Sequence, residues 1–210
     1  YIGTEFAQAT ASPSHLFKFH MSEGGLRVPL IMSGPGINKG KNHNFAFVTD
    51  IAATISDIVF DEVDERIIGK SLQNSLAGSN ENNYEDFEAV GLEVTGNSAL
   101  FKGNYKIVRN RPPNGSNQWE LYNLHEDPGE TQDLSKIMPD KLFELIEDYD
   151  QYAQINGVIE LPLDYQWAEE MTVNTFKRNY LPLLLRAVSV IALTVFVVIY
   201  LRRRWKKTQN

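Results

Sequence analysis

The run YLPLLLRAVSVIALTVFVVIYL, Tyr180 to Leu201, constrains this chain more than any other stretch, because Arg186 is the one charge in 22 residues. At about 1.5 Å per residue, a helix of that length covers the roughly 30 Å hydrocarbon layer of a bilayer. Pro182 falls in the first turn, where a missing N–H costs little. A helix apolar on every face and followed at once by RRRWKK has no further domain to bury it, so a single transmembrane helix is predicted over 180–201. Arg186 lies close enough to the Tyr180 end to extend its head to the near interface. The basic cluster after Leu201 outweighs Lys177 and Arg178, which places 202–210 in the cytoplasm as a basic tail and everything before Tyr180 outside. The membrane is then a plasma membrane or a cytoplasmic (inner) membrane, crossed once, with the body of the chain extracellular or periplasmic.

Charge divides along the same line. The formal net charge is −7, yet Lys177–Asn210 holds eight basic residues and no acid, so the preceding residues carry 12 basic and 27 acidic side chains. A body of −15 lacks the clustered Lys and Arg that replace counterions on a phosphate backbone, and nucleic acid is not an expected partner. With no cysteine in the sequence, a disulfide framework and a thiolate zinc site are both excluded. The chain opens at Tyr1 without an apolar leader and is expected to be a fragment.

Patterning in the body predicts an α/β fold. RVPLIMSG (27–34) reads as a buried strand and FVTDIAATISDIVF (47–60) as an amphipathic helix, with Val48, Ile51, Ile55, Ile58 and Val59 forming an apolar stripe. Thr49 or Asp50 can cap that helix, and IIGKSL returns to a loop. LAGSNENNYED (76–86) loses hydrophobicity and marks a boundary. Beyond it EAVGLEV, SALFKG, YKIVRN and QWELYNL are short strand-like runs separated by Gly96-Asn97, Gly103-Asn104 and RPPNGSN, which predicts a small antiparallel four-stranded sheet. Pro139 starts a helix ended by Gly157, whose Leu142, Leu145, Ile146, Tyr149 and Ala153 should cover the sheet. Asn114-Gly115-Ser116 fits both a turn and a glycosylation acceptor, with the turn favoured. The expected divisions are 1–80, 81–162, a juxtamembrane linker over 163–179, the span over 180–201 and the tail over 202–210.

Taken in order, FAQATASPSHLFKFHMSEGGLRVPLIMSGPG, VTDIAATISDIV, IIGKSL, LFKGNYKIV and WELYNLHEDPGETQDLS resemble the C-terminal part of a type I, arylsulfatase-like sulfatase of the alkaline phosphatase superfamily. The resemblance covers roughly Gly3 to Pro162. It implies that 1–80 ends a large α/β catalytic domain and that 81–162 forms the small C-terminal sheet and helix. It also implies sulfate-ester hydrolysis, assisted by calcium and a formylglycine that lie upstream in the family.

The same resemblance places Lys18, five residues before Glu23-Gly24-Gly25, at the family's sulfate-contacting lysine. Lys18 is therefore the candidate catalytic and substrate-binding residue, with His20 beside it as a further substrate-binding candidate. An ammonium there neutralises sulfate oxygens and meets charge as it develops on the leaving alkoxide. Gly24 and Gly25 supply freedom for a close approach of loop and strand. His15 and His20 are expected to be partly exposed, Arg27 to pair with an acid, and Asp50, Asp57 and Asp61 to be caps or solvated. No CxPxR-like or SxPxR-like motif occurs, so the isolated chain is expected to be inactive and to hold no metal. The competing readings are a phosphodiesterase or phosphoglycerol transferase of the same superfamily and a non-catalytic membrane-tethered binding module.

Overall fold

The computed structural model describes residues 3–162 and 164–208; Leu163 of the expected linker and Gln209 and Asn210 of the expected tail lie outside the described residues. After Glu160 the chain divides into two compact units. The first contains helices α1 (Thr4–Ala11), α2 (Glu23–Leu26), α3 (Val48–Phe60) and α4 (Gln73–Leu76), strands β1 (Ala89–Val94), β2 (Asn97–Lys102), β3 (Tyr105–Arg109) and β4 (Glu120–Asn123), and helix α5 (Pro139–Asn156). The second contains α6 (Trp167–Asn179) and α7 (Leu181–Thr208).

The four strands form an antiparallel meander in the order β1-β2-β3-β4. Thr95 and Gly96, with φ of 55° and 80°, make the two-residue connection between β1 and β2. Two successive positive φ values match the right-handed twist of the flanking strands. Gly103 at φ 55° turns β2 into β3. Helix α5 begins at Pro139 and stops at Gly157, which adopts φ 64° and ψ 37°, the left-handed conformation that ends many helices.

Period-two alternation divides the sheet into two covered faces. Leu100, Ile107 and Leu121 point to α5 and pack with Leu145 and Tyr149, while Leu142, Ile146 and Ala153 border that cluster. Tyr149 donates from its hydroxyl to Ser98 Oγ at 2.8 Å, and Lys102 bridges to Glu144 at 3.0 Å and Asp148 at 2.7 Å. A Cβ on Gly91 would lie 2.4 Å from the Tyr152 ring, so the helix sits too close to β1 for any side chain there. On the opposite face Ala99, Val108 and Tyr122 pack against Met21, which arrives from the segment before α2.

The region before the sheet departs from expectation at two places. Residues 27–34 run without a ladder partner among the described residues, and Val28 and Ile31 are 78% and 91% exposed. An apolar run becomes a buried strand only when neighbours supply its hydrogen bonds and cover both faces, and the described residues supply neither. Helix α3 forms as predicted, but Val48, Ile55, Ile58 and Val59 face outward while Asp50, Ala53 and Thr54 are buried. Asp50 is thus neither solvated nor only a cap. Its Oδ2 accepts from the Phe47 N–H at 2.6 Å, and its Oδ1 accepts from the Lys70 N–H at 2.9 Å and the Tyr84 hydroxyl at 2.6 Å. Thr54 donates to Asp50 O and accepts from the Leu72 N–H, so the buried polar face is hydrogen-bonded throughout. Asp57 accepts from Ser71, and Asp61 ends the helix at φ 56°.

In the second unit the predicted linker is largely helical. Glu169 and Glu170 stand in the first turn of α6 and Lys177 and Arg178 in its last, the arrangement that a helix dipole favours. Helix α7 carries the apolar run, and the helical stretch Glu169–Trp205 contains a window that by length and composition is apolar enough to cross a membrane.

Candidate functional site

Lys18 is exposed at the tip of a loop, His15–His20, that folds back over α2. The Gly24 N–H donates to His15 O at 2.8 Å. A Cβ on Gly24 would lie 2.0 Å from Leu16 O, and one on Gly25 would lie 2.2 Å from His20 O. The two glycines therefore serve contact between α2 and this loop, where a close approach to a strand was expected. Leu16 and Phe19 adopt φ of 56° and 79°. Left-handed backbone at residues with a Cβ costs about 1–3 kcal/mol each and persists only where surrounding contacts impose it.

Those contacts come from the face of the sheet opposite α5. Met21 N–H donates to Asn110 Oδ1 at 2.8 Å, Asn110 Nδ2 donates to Ser22 Oγ at 3.0 Å, and Asn97 Nδ2 donates to Phe19 O at 2.7 Å. His20 is 4% exposed, which corrects the expectation of a partly exposed loop histidine. Its Nδ1 is 2.9 Å from Phe17 O and its Nε2 is 3.1 Å from Asn114 Nδ2. His15 is exposed. Arg27 is also exposed and forms no ion pair among the described residues, so it does not fix the turn as predicted.

The strongest anchor is a buried ion cluster. Lys106 Nζ, fully buried, bridges Glu23 Oε1 at 2.9 Å and Glu130 Oε1 at 2.7 Å, and Glu130 Oε2 accepts from the Glu23 N–H at 2.7 Å. The same ammonium lies 4.9 Å from the centre of the Phe101 ring. Burial pushes the Glu130 carboxyl above its ordinary range, against the opposing pull of Lys106. Reading the sequence missed this cluster. The signal was there in YKIVRN, where alternation sets Lys106 and Asn110 beside Val108 on the face away from α5.

Lys18 contrasts with Lys106. Its ammonium is 5.1 Å from the Phe19 ring centre and makes no ion pair among the described residues. The arrangement is a free cation on a loop whose backbone is fixed from beneath. Calcium and formylglycine do not fit these residues: the sequence has neither a CxPxR-like nor an SxPxR-like run, and among the described residues no three His, Asp or Glu side chains converge on a metal position.

Residues 14–152 match the protein family described as N-sulphoglucosamine sulphohydrolase, C-terminal. The chain belongs to this sulfatase family. An uncharacterized sulfatase of Schizosaccharomyces pombe is 34% identical over 186 residues, covering 79% of this chain and 32% of the relative. The chain thus spans about a third of the length of that sulfatase. The crystal structure of Ps i-CgsB superposes over 78% of this chain and 36% of its own, with a TM-score of 0.59 and 20% identity, and shares the fold. The architecture is the C-terminal part of a sulfatase fold, with its small antiparallel sheet and helix followed by one long apolar helix.

Replacing Lys106 by methionine leaves Glu23 and Glu130 facing each other without a cation, which should destabilise the first unit by about 3–5 kcal/mol near neutral pH. The folded-state pKa of Glu130 is raised, so its stability contribution is complete below its ordinary value of 4.5 and is lost as pH rises through the raised value. Without Lys106 that loss grows. Urea unfolding followed by tryptophan fluorescence should show the Lys106→Met deficit widening from acid to neutral pH; a deficit independent of pH would contradict the cluster.

Proposed function

We propose that this chain is the C-terminal part of a membrane-anchored sulfatase that hydrolyses sulfate esters, and that Lys18 binds the sulfate group. In this reading 1–80 ends the large α/β domain, and the exposed Val28, Ile31 and outer stripe of α3 are surface that the rest of that domain covers. Residues 81–162 form the small subdomain, 163–179 the juxtamembrane connection, 180–201 the span and 202–210 a basic cytoplasmic tail.

The observation that carries the reading is an ammonium with no acid partner among the described residues, on a strained loop pinned from beneath by buried and part-buried hydrogen bonds. A flexible surface lysine needs no such support. A fixed point charge beside a sulfate neutralises its oxygens on binding and stabilises the negative charge that appears on the leaving oxygen as the ester bond breaks. Nucleophile and calcium come from residues outside this chain, so its own contribution is to bind and orient the sulfate.

In the complete sulfatase, Lys18→Ala should lower kcat on a sulfate ester by about 10²–10³, as for loss of one preorganised charge-stabilising donor. Lys18→Arg should recover little of it, because a planar fork does not occupy a point-charge site. Unchanged kcat in Lys18→Ala, with circular dichroism confirming the fold, returns this lysine to the solvated surface.

The anchor rests on the length of α7 and the apolarity of its run up to Leu201, and on Arg202, Arg203, Arg204, Lys206 and Lys207 that follow that run within the same helix. A reporter active only in the cytoplasm, fused after Asn210, should be active. Silence in a stably expressed fusion would reverse the orientation.

A further inference from the structure

Lys18 stands between two peptide carbonyls that are both held from behind. Phe17 O accepts from the His20 N–H at 3.1 Å and from His20 Nδ1 at 2.9 Å. Phe19 O accepts from Asn97 Nδ2 at 2.7 Å. Both donor residues are buried, and each is fixed at its other end: His20 Nε2 meets Asn114 Nδ2 at 3.1 Å, and Asn97 Oδ1 accepts from the Arg111 N–H at 2.7 Å. A carbonyl oxygen can only accept, so Nδ1 of His20 carries the proton at Phe17 and Nε2 accepts from the Asn114 amide. A single tautomer is selected by the partners on either side.

We propose that His20 and Asn97 are positioning residues for Lys18. They grip the carbonyls of the residues before and after it, Phe17 and Phe19, and so hold the left-handed conformations of Leu16 and Phe19 that the loop needs to present the ammonium in one direction. This assigns His20 to the support of the loop rather than to direct contact with the sulfate. The inference rests on the reading that Lys18 contacts the sulfate. It adds that the charge acts only when its backbone is fixed, because a group displaced by about 1 Å from its productive place can lose on the order of 10²-fold in rate.

A double-mutant cycle in the complete sulfatase separates positioning from general stabilisation. His20→Ala should lower kcat about 10- to 100-fold with a smaller change in KM. In the Lys18→Ala background the same substitution should change kcat less than about threefold, because no charge remains to misplace. His20→Asn, whose amide nitrogen stands near the place of Nδ1, should recover most of the loss. Should His20→Ala fail to fold, Asn97→Ala is the second arm and carries the same expectation. Equal losses in both backgrounds, with Lys18→Ala itself impaired, overturn the positioning role and leave the sulfate contact standing. Full activity of Lys18→Ala alone overturns the contact and the positioning role together.

Discussion

The ion cluster of Lys106, Glu23 and Glu130 is the contact on which the arrangement of the first unit depends. It joins three parts of the chain far apart in sequence: the helix α2 beneath the Lys18 loop, the central strand β3 and the Pro-Gly turn after β4. Buried charges cost several kcal/mol each in lost hydration, so this cluster is a poor source of net stability compared with apolar packing. Its effect is on specificity. Glu23 and Glu130 share the one ammonium of Lys106, and Glu130 also accepts from the Glu23 amide, so a shift of α2 on the sheet would leave a buried carboxyl without its partners. Apolar contacts between Met21 and Val108 would tolerate a shift that the cluster forbids.

The result is a three-layered body. Helix α5 covers one face of the meander through Leu145 and Tyr149, and the segment around Met21 covers the other. Both layers therefore act on the loop that carries Lys18: α5 keeps the strands in register, and the opposite face of the same strands supplies Asn97, Asn110 and Lys106 as anchors. Loops that carry function on a rigid scaffold have this general design, with variable tips and fixed roots.

Much of this was legible in the sequence because local chemistry and fold agree. Pro139 and Gly157 mark both ends of α5, the glycines at 96 and 103 mark the hairpins, and the spacing of Leu142, Leu145, Ile146 and Tyr149 marks the covered face. What was not legible depends on partners distant in sequence. A lysine alternating with Val108 reads as a solvated strand residue until Glu23 and Glu130 arrive above it. Asp50 reads as a cap until the Lys70 amide and Tyr84 converge on its second oxygen. The run 27–34 reads as a buried strand from its apolar residues, but no described neighbour pairs with it or covers it, and Val28 and Ile31 stand exposed. Lys18 itself has no physical signature in isolation, and only the ordered resemblance to sulfatases singled it out.

Native-state amide hydrogen exchange tests most directly whether the loop and sheet form one cooperative body. Met21 N–H and Glu23 N–H donate to the side chains of Asn110 and Glu130, while Leu100 and Ile107 lie in the strands beneath. If the cluster welds these parts together, all four amides open with the same free energy. Exchange of Met21 and Glu23 at the rate of exposed loop amides, with Ile107 still protected, would contradict the account.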